Sequence, residues 1–322
     1  MHFILFPGCK VPYYVPQYEI SSRLVLKTFG IEMEDIELNC CGYPIRFLDF
    51  KAFVFASARN IALAGEKGLS LLCLCKCCYG TLRYTDFLLK RHIDLRSEID
   101  SLLKDEGLRY PERVEIKHLL NVLYDDLGPE IIHKKIIRPF KSLKIATHYG
   151  CHILRPRDVV QFDNPDYPTK FEKLIEVTGT KSVKWPLRLQ CCGDPLNGKN
   201  DTLARELGEK KMKSARQAGA DMICVGCTHC QMQFGRIGTS LLEQGNTQDV
   251  LPSLLYPQLL GLSLGLEAAA LGIDENKQAG IRALSHPLDN LKEQDPLTPD
   301  MRNLHHSFLN KLNYYQKGGN FG

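Results

Sequence analysis

Short apolar runs alternate with amphipathic stretches along the first half of the chain. This pattern predicts six elements, strand and helix in turn, at 2–6, 17–29, 36–38, 52–67, 69–74 and 79–104. Apart from one serine, the run at 69–74 is apolar, which is typical of a strand buried on both faces of a parallel sheet. Strands that alternate with helices in this way predict a parallel α/β unit.

The second half repeats this order of elements. Its strands are predicted at 143–147, 182–185 and 220–225, and its helices at 171–178 and 202–219. We therefore predict an α/β protein of two pseudo-symmetric parallel units, related by internal duplication, with a C-terminal helical extension. The expected boundaries are 1–142 for the first unit with its linker, 143–285 for the second unit, and 286–322 for a polar tail that is a candidate for docking a partner.

Ten of the thirteen cysteines fall into two matching frames in the loops that follow these strands. Each frame has a lone cysteine, an adjacent pair followed by glycine, and a C-x₂-C motif. The first frame is Cys9, Cys40-Cys41, Cys75 and Cys78, and the second frame is Cys151, Cys191-Cys192, Cys227 and Cys230. Between pair and motif lie 33 residues in the first frame and 34 in the second. Such loops lie at the carboxyl ends of parallel strands, where ligands of α/β proteins bind.

Composition and charge narrow the possible classes of function. The chain of 322 residues is 44% hydrophobic and 24% charged, as expected for a globular protein of about two domains. Its net charge of +4 suits anionic small substrates but is too weak and dispersed to predict nucleic-acid binding. No apolar run reaches the ~18 residues of a membrane span. The segment at 2–6 lacks the features of a signal peptide, so we interpret it as part of the mature fold of a cytoplasmic protein.

Thirteen cysteines without an export signal favour metal binding over disulfides, because cytosolic thiols are kept reduced. Tetrahedral zinc takes four ligands, whereas each frame offers five. The C-x₂-C-x₂-C run of a ferredoxin cubane is absent. Five soft thiolates from three loops therefore favour a larger, irregular iron–sulfur assembly. Outside the frames, Cys73 and Cys224 are interpreted as structural, while the mismatch of Cys77 with His229 argues against either as a ligand, although Cys77 is expected near the site.

The ordered motifs resemble those of CCG-domain proteins, and more specifically the family of heterodisulfide reductase B subunits. The resemblance covers roughly residues 1–275, and it is carried by FPGC at 6–9, CKCCYG at 75–80, HLLNVLYDDLG at 118–128, HYGCHILRP at 148–156, FDNP at 162–165 and GAD at 219–221. One departure is Asp194-Pro195 after the second CCG, and another is the tail beyond about 285.

The resemblance implies that each unit holds one non-cubane [4Fe-4S] cluster on its five-cysteine frame. It implies a catalytic subunit that reductively cleaves a (hetero)disulfide, such as that of coenzyme M with coenzyme B in methanogenesis, to two thiols between the two clusters. The implied partners are a ferredoxin-like iron–sulfur protein of the C-subunit type and a flavin-containing protein of the A-subunit type. No flavin fingerprint occurs in this chain, so no flavin is expected on it.

Charged and titratable residues beside the frames are candidates for substrate binding and proton transfer. Basic side chains can hold acidic groups of a substrate, and those next to the frames are Lys10, Arg46, Lys76, Arg155 and Arg157. Histidine titrates near neutrality, so His148, His152 and His229 are candidate proton donors to leaving thiolates. His152 is the best placed of these, directly after Cys151, and its alternative role is a hydrogen bond to a cluster sulfur.

Two other functions stay open at this point. A sulfur-oxidising type of complex would keep the clusters and act on another thiol, a persulfide or a protein-bound dithiol. An electron-relay subunit would have no substrate of its own. Two intact frames favour the catalytic hypotheses over the relay, because a relay does not need a facing pair of sites.

Overall fold

The computed structural model describes residues 1–273. The end of the predicted second unit, at 274–285, and the predicted tail at 286–322 lie outside the described residues. No helix within 1–273 is both long and apolar enough to cross a membrane.

Two four-stranded parallel sheets form the centre of the protein. The first contains β1 His2–Phe6, β2 Glu32–Glu34, β3 Ser70–Cys73 and β4 Ile116–His118, in the order β2-β1-β3-β4. The second contains β5 Lys144–His148, β6 Lys181–Val183, β7 Met222–Val225 and β8 Ser253–Leu255, in the matching order β6-β5-β7-β8. The predicted α/β class with two duplicated units is confirmed.

The central strands are buried because helices cover the sheets. Ile4, Leu5 and Phe6 of β1 and Leu71 and Leu72 of β3 are at most 2% exposed. The helices are α1 Val11–Tyr14, α2 Pro16–Thr28, α3 Phe50–Glu66, α4 Lys76–Arg91, α5 Ile93–Asp105, α6 Leu119–Asn121, α7 Pro129–Lys134, α8 Arg157–Val160, α9 Lys170–Val177, α10 Asp201–Gln217, α11 Thr228–Glu243 and α12 Tyr256–Ser263. The last of these forms the described part of the predicted C-terminal helical extension.

Two element predictions differ from the structure. The strand expected at 36–38 is wrong: β2 comes earlier, and the segment after it runs as an irregular, partly buried connection to Cys40. The single helix expected at 79–104 is two helices that meet at His92, whose backbone is extended. Both helices are amphipathic and no glycine or proline marks the break, so the pattern alone did not show it. Helix α11 and strand β8 were not expected.

The two units pack closely against each other. Helix α4 of the first unit contacts α8 of the second, where the Tyr79 hydroxyl donates to the Val160 carbonyl at 2.6 Å. A Cβ on Gly80 would lie 2.9 Å from the His152 carbonyl, so α4 passes directly over the segment that follows Cys151. Helix α12 returns to pack on α2 of the first unit. The loops that carry the two cysteine frames are thereby held next to each other.

The glycine of each CCG turn lets the cysteine pair approach the following helix. Gly42 has φ +84° and Gly193 has φ +92°, a left-handed conformation that favours glycine. A Cβ at Gly42 would lie 2.8 Å from the carbonyl oxygen of Phe53 in α3. At Gly193 the corresponding distance, to the Ala204 carbonyl of α10, would be 2.6 Å. Both the turn and the contact therefore exclude a side chain.

We expect Gly42→Ala and Gly193→Ala to reduce the free energy of unfolding by about 2–5 kcal/mol, which adds a backbone cost of ~1–2 kcal/mol to a steric cost of ~1–3 kcal/mol. Gly68→Ala is the matched control, because Gly68 also has a positive φ of +64° but nothing lies within 4 Å of its added Cβ. Anaerobic denaturant unfolding measures the three losses. Equal losses at all three positions would show that the contact with the helix does not matter.

Candidate metal centre

Four cysteines of the first frame come from three loops at the carboxyl ends of adjacent strands, and the fifth, Cys78, lies in the first turn of α4. Cys9 follows β1, and Cys75 follows β3 as the residue that precedes α4. The adjacent pair lies just before a 3₁₀ turn at Tyr43–Ile45. Because β1 and β3 are hydrogen-bonded neighbours, their two loops emerge side by side.

The five sulfur atoms of the first frame form one continuous group. Cys9 and Cys40 have their Sγ atoms 3.9 Å apart. The Cys41 thiol interacts with those of Cys40 and Cys78, and the Cys78 thiol interacts with that of Cys75. The three loops and the first turn of α4 therefore deliver all five predicted ligands to one place.

The second frame repeats this connectivity. The Cys191 thiol interacts with those of Cys151 and Cys192, and the Cys192 thiol interacts with that of Cys230. Cys230 then contacts Cys227, which precedes α11 as Cys75 precedes α4. The two groups of five sulfurs thus match pair by pair.

The two groups meet at one point. The Sγ atoms of Cys75, Cys77 and Cys227 all lie within 4.8 Å of one another. Cys77 therefore lies near the site, as expected from the sequence, and its Sγ is 3.0 Å from Nδ1 of His152. This junction places a residue of each frame at the boundary between the units.

Hydrogen bonding and charge repulsion set the protonation of the thiols. Bonds from Cys41 and Cys9 lower the pKa of the Cys40 thiol, and bonds from Cys151 and Cys192 lower that of Cys191. The bond to Cys40 raises the pKa of its neighbour Cys41 to about 12. One thiolate thus forms readily in each group, while its neighbours resist ionisation because like charges repel.

The sulfur groups fit a polynuclear metal centre. Ionising every thiol in such a group needs cations that offset the repulsion, and thiolate is a soft ligand suited to iron and iron–sulfur clusters. In the described chain, two groups of residues have possible metal-ligand atoms that all lie within 4.8 Å of one another. One group is Cys75, Cys77 and Cys227, and the other is His148, Cys192 and Cys230. The donor chemistry therefore fits iron–sulfur binding at both frames.

The three candidate histidines have different surroundings. His148 is fully buried beside Cys192 and Cys230, and within 1–273 neither of its ring nitrogens has a hydrogen-bond partner. Burial lowers the pKa of His152, whose ring also packs edge-on against Tyr43 with centroids 5.4 Å apart. Although burial opposes it, the hydrogen bond with Asp194 raises the pKa of His229.

Asp194 explains one departure from the expected motif. Its carboxylate is buried after the second CCG turn, where it bonds to His229 and to the guanidinium of Arg236 at 3.0 Å. The residue therefore anchors α11 to the cysteine loop. The sequence showed the departure, but the partners of the carboxylate come from a helix that was not expected.

The five basic candidates do not occupy equivalent places. Arg155 and Arg157 are exposed and Lys10 is half-buried. The Arg46 guanidinium lies 3.6 Å from the centroid of the Tyr43 ring. Lys76 is only 1% exposed, and its ammonium donates to the Tyr149 carbonyl at 2.6 Å. The charge of Lys76 thus faces the interior of the second unit rather than solvent.

Comparison with known proteins identifies relatives that share the cysteine-rich domain. The family model described as "Cysteine-rich domain" (CCG) matches residues 3–83 and 145–235. The chain is 34% identical over 286 residues to the B subunit of the Ferredoxin/F(420)H(2)-dependent CoB-CoM heterodisulfide reductase of Methanosarcina acetivorans, an alignment that covers 87% of this chain and 95% of the relative. It is 30% identical over 276 residues to the 8-methylmenaquinol:fumarate reductase membrane anchor subunit of Wolinella succinogenes, which covers 85% of this chain and 96% of that relative.

A solved structure supports the fold. A hypothetical protein from Helicobacter pylori superposes with a TM-score of 0.64 over 84% of this chain, at 18% sequence identity. The superposition covers 50% of the Helicobacter pylori protein, so this chain spans about half of its length. At this identity the likeness concerns the fold alone.

Proposed function

The chain belongs to the CCG family of cysteine-rich domain proteins, with the B subunits of heterodisulfide reductases among its relatives, and on this basis we propose that it is the catalytic subunit of a heterodisulfide reductase-like complex. It would reductively cleave a (hetero)disulfide, such as that of coenzyme M with coenzyme B, into two thiols. The observation that carries the proposal is the meeting of two complete five-sulfur groups at Cys75 and Cys227.

Each frame would hold one non-cubane [4Fe-4S] cluster. The first would take Cys9, Cys40, Cys41, Cys75 and Cys78, and the second would take Cys151, Cys191, Cys192, Cys227 and Cys230. When bound, the two clusters supply the two electrons that the reduction of one disulfide requires. The close approach of the frames supports a shared substrate position, because both sulfurs of a disulfide must be reached from one cavity.

Reduction of a disulfide to two thiols also consumes two protons. We assign the first proton transfer to His152, whose Nδ1 lies 3.0 Å from Cys77 Sγ at the junction of the two frames. Burial lowers the pKa of His152, so the neutral ring is the main form at neutral pH and the imidazolium, once formed, gives up its proton readily. The exposed guanidinium groups of Arg155 and Arg157, with Arg46 and Lys10, are proposed to bind acidic groups of the substrate. The Lys76 ammonium instead donates to backbone carbonyls.

A second candidate function is an electron relay without a substrate of its own. Similarity to the fumarate reductase anchor protein favours this candidate, because that relative is named as part of a different oxidoreductase. A third, which uses the same clusters on another thiol, a persulfide or a protein-bound dithiol, differs in substrate and direction.

Thirteen cysteines, all of them free thiols in the structure, support a cytoplasmic location.

The exposed apolar side chains beside the first frame form the proposed docking surface for the ferredoxin-like iron–sulfur subunit, which would receive electrons from a flavin-containing subunit. Phe47 and Leu48 are 82% and 85% exposed, and they follow the first CCG turn. The corresponding positions after the second CCG turn are Gly198 and Lys199. Exposed Cys9 lies on the same frame, so a donor bound here would be close to the first cluster.

We expect about eight irons and eight sulfides per chain in anaerobically purified protein, as two [4Fe-4S] clusters require. Iron, sulfide and zinc analysis of the same sample measures this. One zinc per chain with half the expected iron would show that one frame is a structural zinc site, and it would exclude cleavage between two clusters.

We expect both Cys41→Ser and Cys192→Ser to abolish disulfide reduction, because each removes a soft ligand from one frame and both frames act on one disulfide. The matched controls are Cys73→Ala and Cys224→Ala, which remove buried strand cysteines outside the frames. Rates with an artificial one-electron donor bypass partner docking. If either serine variant kept substantial activity, the relay function would be the better explanation.

We expect Phe47→Ser combined with Leu48→Ser to weaken binding of the iron–sulfur subunit by at least about tenfold, because these two side chains would be the apolar anchors at the centre of the interface. Lys199→Ser, at the corresponding position of the second unit, is the control. Titration of the purified partner measures both affinities. Full affinity in the double variant would disprove this surface.

A further inference from the structure

The two units can be compared position by position around their CCG turns. Cys192 comes 151 residues after Cys41, and the residues that begin and end the following helices keep the same offset. On this alignment Asn60 of α3 corresponds to Lys211 of α10. Differences at such paired positions show where the two sites have diverged although their sulfur groups match.

Asn60 and Lys211 hold corresponding loops of the two units, but one side chain is neutral and the other is a cation. Asn60 is buried and accepts a hydrogen bond from the Asn39 amide at 3.0 Å, just before Cys40. Lys211 is 1% exposed, and its ammonium donates to the Gln190 carbonyl at 3.0 Å and to the Leu187 carbonyl, just before Cys191. The neutral support of the first frame is therefore a buried cation at the second.

A second buried cation also lies at the second frame. Lys76 belongs to the first C-x₂-C motif, but its side chain crosses to the second unit, where its ammonium donates to the carbonyls of Tyr149 and His148 at 2.6 and 3.4 Å. The corresponding residue of the second motif is uncharged Thr228. Lys76 and Lys211 are the two buried lysines within residues 1–273, and the ammonium groups of both lie in the second unit, beside the second frame.

The ends of the central strands differ in the same sense. Phe6 ends β1 and its side chain offers no hydrogen bond, whereas the matching residue of β5 is His148, whose ring lies within 4.8 Å of the thiols of Cys192 and Cys230. Its two ring nitrogens have no partner within 1–273. The second frame thus has an available imidazole where the first has a phenyl ring.

Buried acids near the second frame do not cancel these charges. Asp194 already bonds to His229 and Arg236. Glu172 accepts a hydrogen bond from Arg188 at 2.7 Å. Thiolate charges also act on the buried lysines: burial lowers the pKa of Lys76 and of Lys211, and thiolates of the second frame oppose that shift, Cys227 and Cys230 at Lys76 and Cys192 and Cys230 at Lys211. The thiols of the second frame thus favour the charged form of both lysines.

We propose that Lys211, Lys76 and His148 make the second frame the electron-accepting site of the pair, so that a cluster bound there has the higher reduction potential. The proposal rests on the cluster binding proposed above. Adding an electron adds negative charge, which a buried cation or hydrogen-bond donor stabilises strongly in a low dielectric. Water acts in the same sense at exposed Cys9 and half-buried Cys40 of the first frame, but Cys151 and Cys191 of the second frame are half-buried as well, so solvent does not remove the difference that the buried lysines make.

The test is a potentiometric titration of the anaerobic complex, followed by electron paramagnetic resonance. Cys192→Ser identifies the second cluster's signal by its loss. We expect Lys211→Asn, which installs the residue of the first unit, to lower the potential of that signal alone, by a factor of at least ten in its reduction equilibrium, or ~59 mV for one electron. Lys211→Arg keeps the charge and should leave the potential nearly unchanged, while Lys76→Met should lower it.

The reverse exchange keeps the test decisive if Lys211→Asn does not fold. Asn60→Lys adds a cation at the first frame, and we expect it to raise the potential of the first signal alone. Three results would overturn the proposal and leave the proposed function standing. The first is a change of the same size in the potentials of both signals, and the second is no change of potential in either Lys211→Asn or Asn60→Lys. The third is a change in Lys211→Arg as large as that in Lys211→Asn. Absence of both signals in the unmodified complex would overturn the cluster assignment and this proposal together.

Discussion

Mutual repulsion among closely spaced thiolates is the constraint on which the rest of the structure depends. Each unit brings five cysteine sulfurs together, and one thiolate in such a group opposes the ionisation of the others. Metal cations can offset that repulsion, so the fold has to hold the loops in place around a charged group. The parallel sheets do this because their central strands end side by side, and the helices after the CCG turns fix the loop backbones.

Much of the fold and of the site could be predicted from the sequence, because spacing and periodicity report on local structure. The apolar run at 69–74 and the repeated cysteine spacing indicated a duplicated parallel α/β protein with its sulfurs at one edge of each sheet. Contacts between units leave no such pattern. The passage of Lys76 into the second unit, and the burial of His148 against two thiols, depend on how the sheets pack, which periodicity does not encode.

The wrongly predicted strand also reflects pairing in the folded protein that the local pattern does not report. The segment at 36–38 has strand-like composition, yet the hydrogen bonds of the sheet are made by the preceding, more polar residues Glu32–Glu34. An edge strand needs only to pair with β1, so its side chains can stay partly exposed and carry little signal. Asp194 shows how an apparent departure from a motif becomes intelligible once the helix that carries its partners is located.

Packing of α12 on α2 and of α4 on α8 means that each half completes the other, as protomers do in a symmetric dimer. In a symmetric dimer of one such unit, any substitution would appear on both sides at once. Covalent fusion removes that constraint. A chain that carries both copies can keep asparagine at position 60 and lysine at 211, so duplication within one chain allows a symmetrical scaffold to acquire a direction.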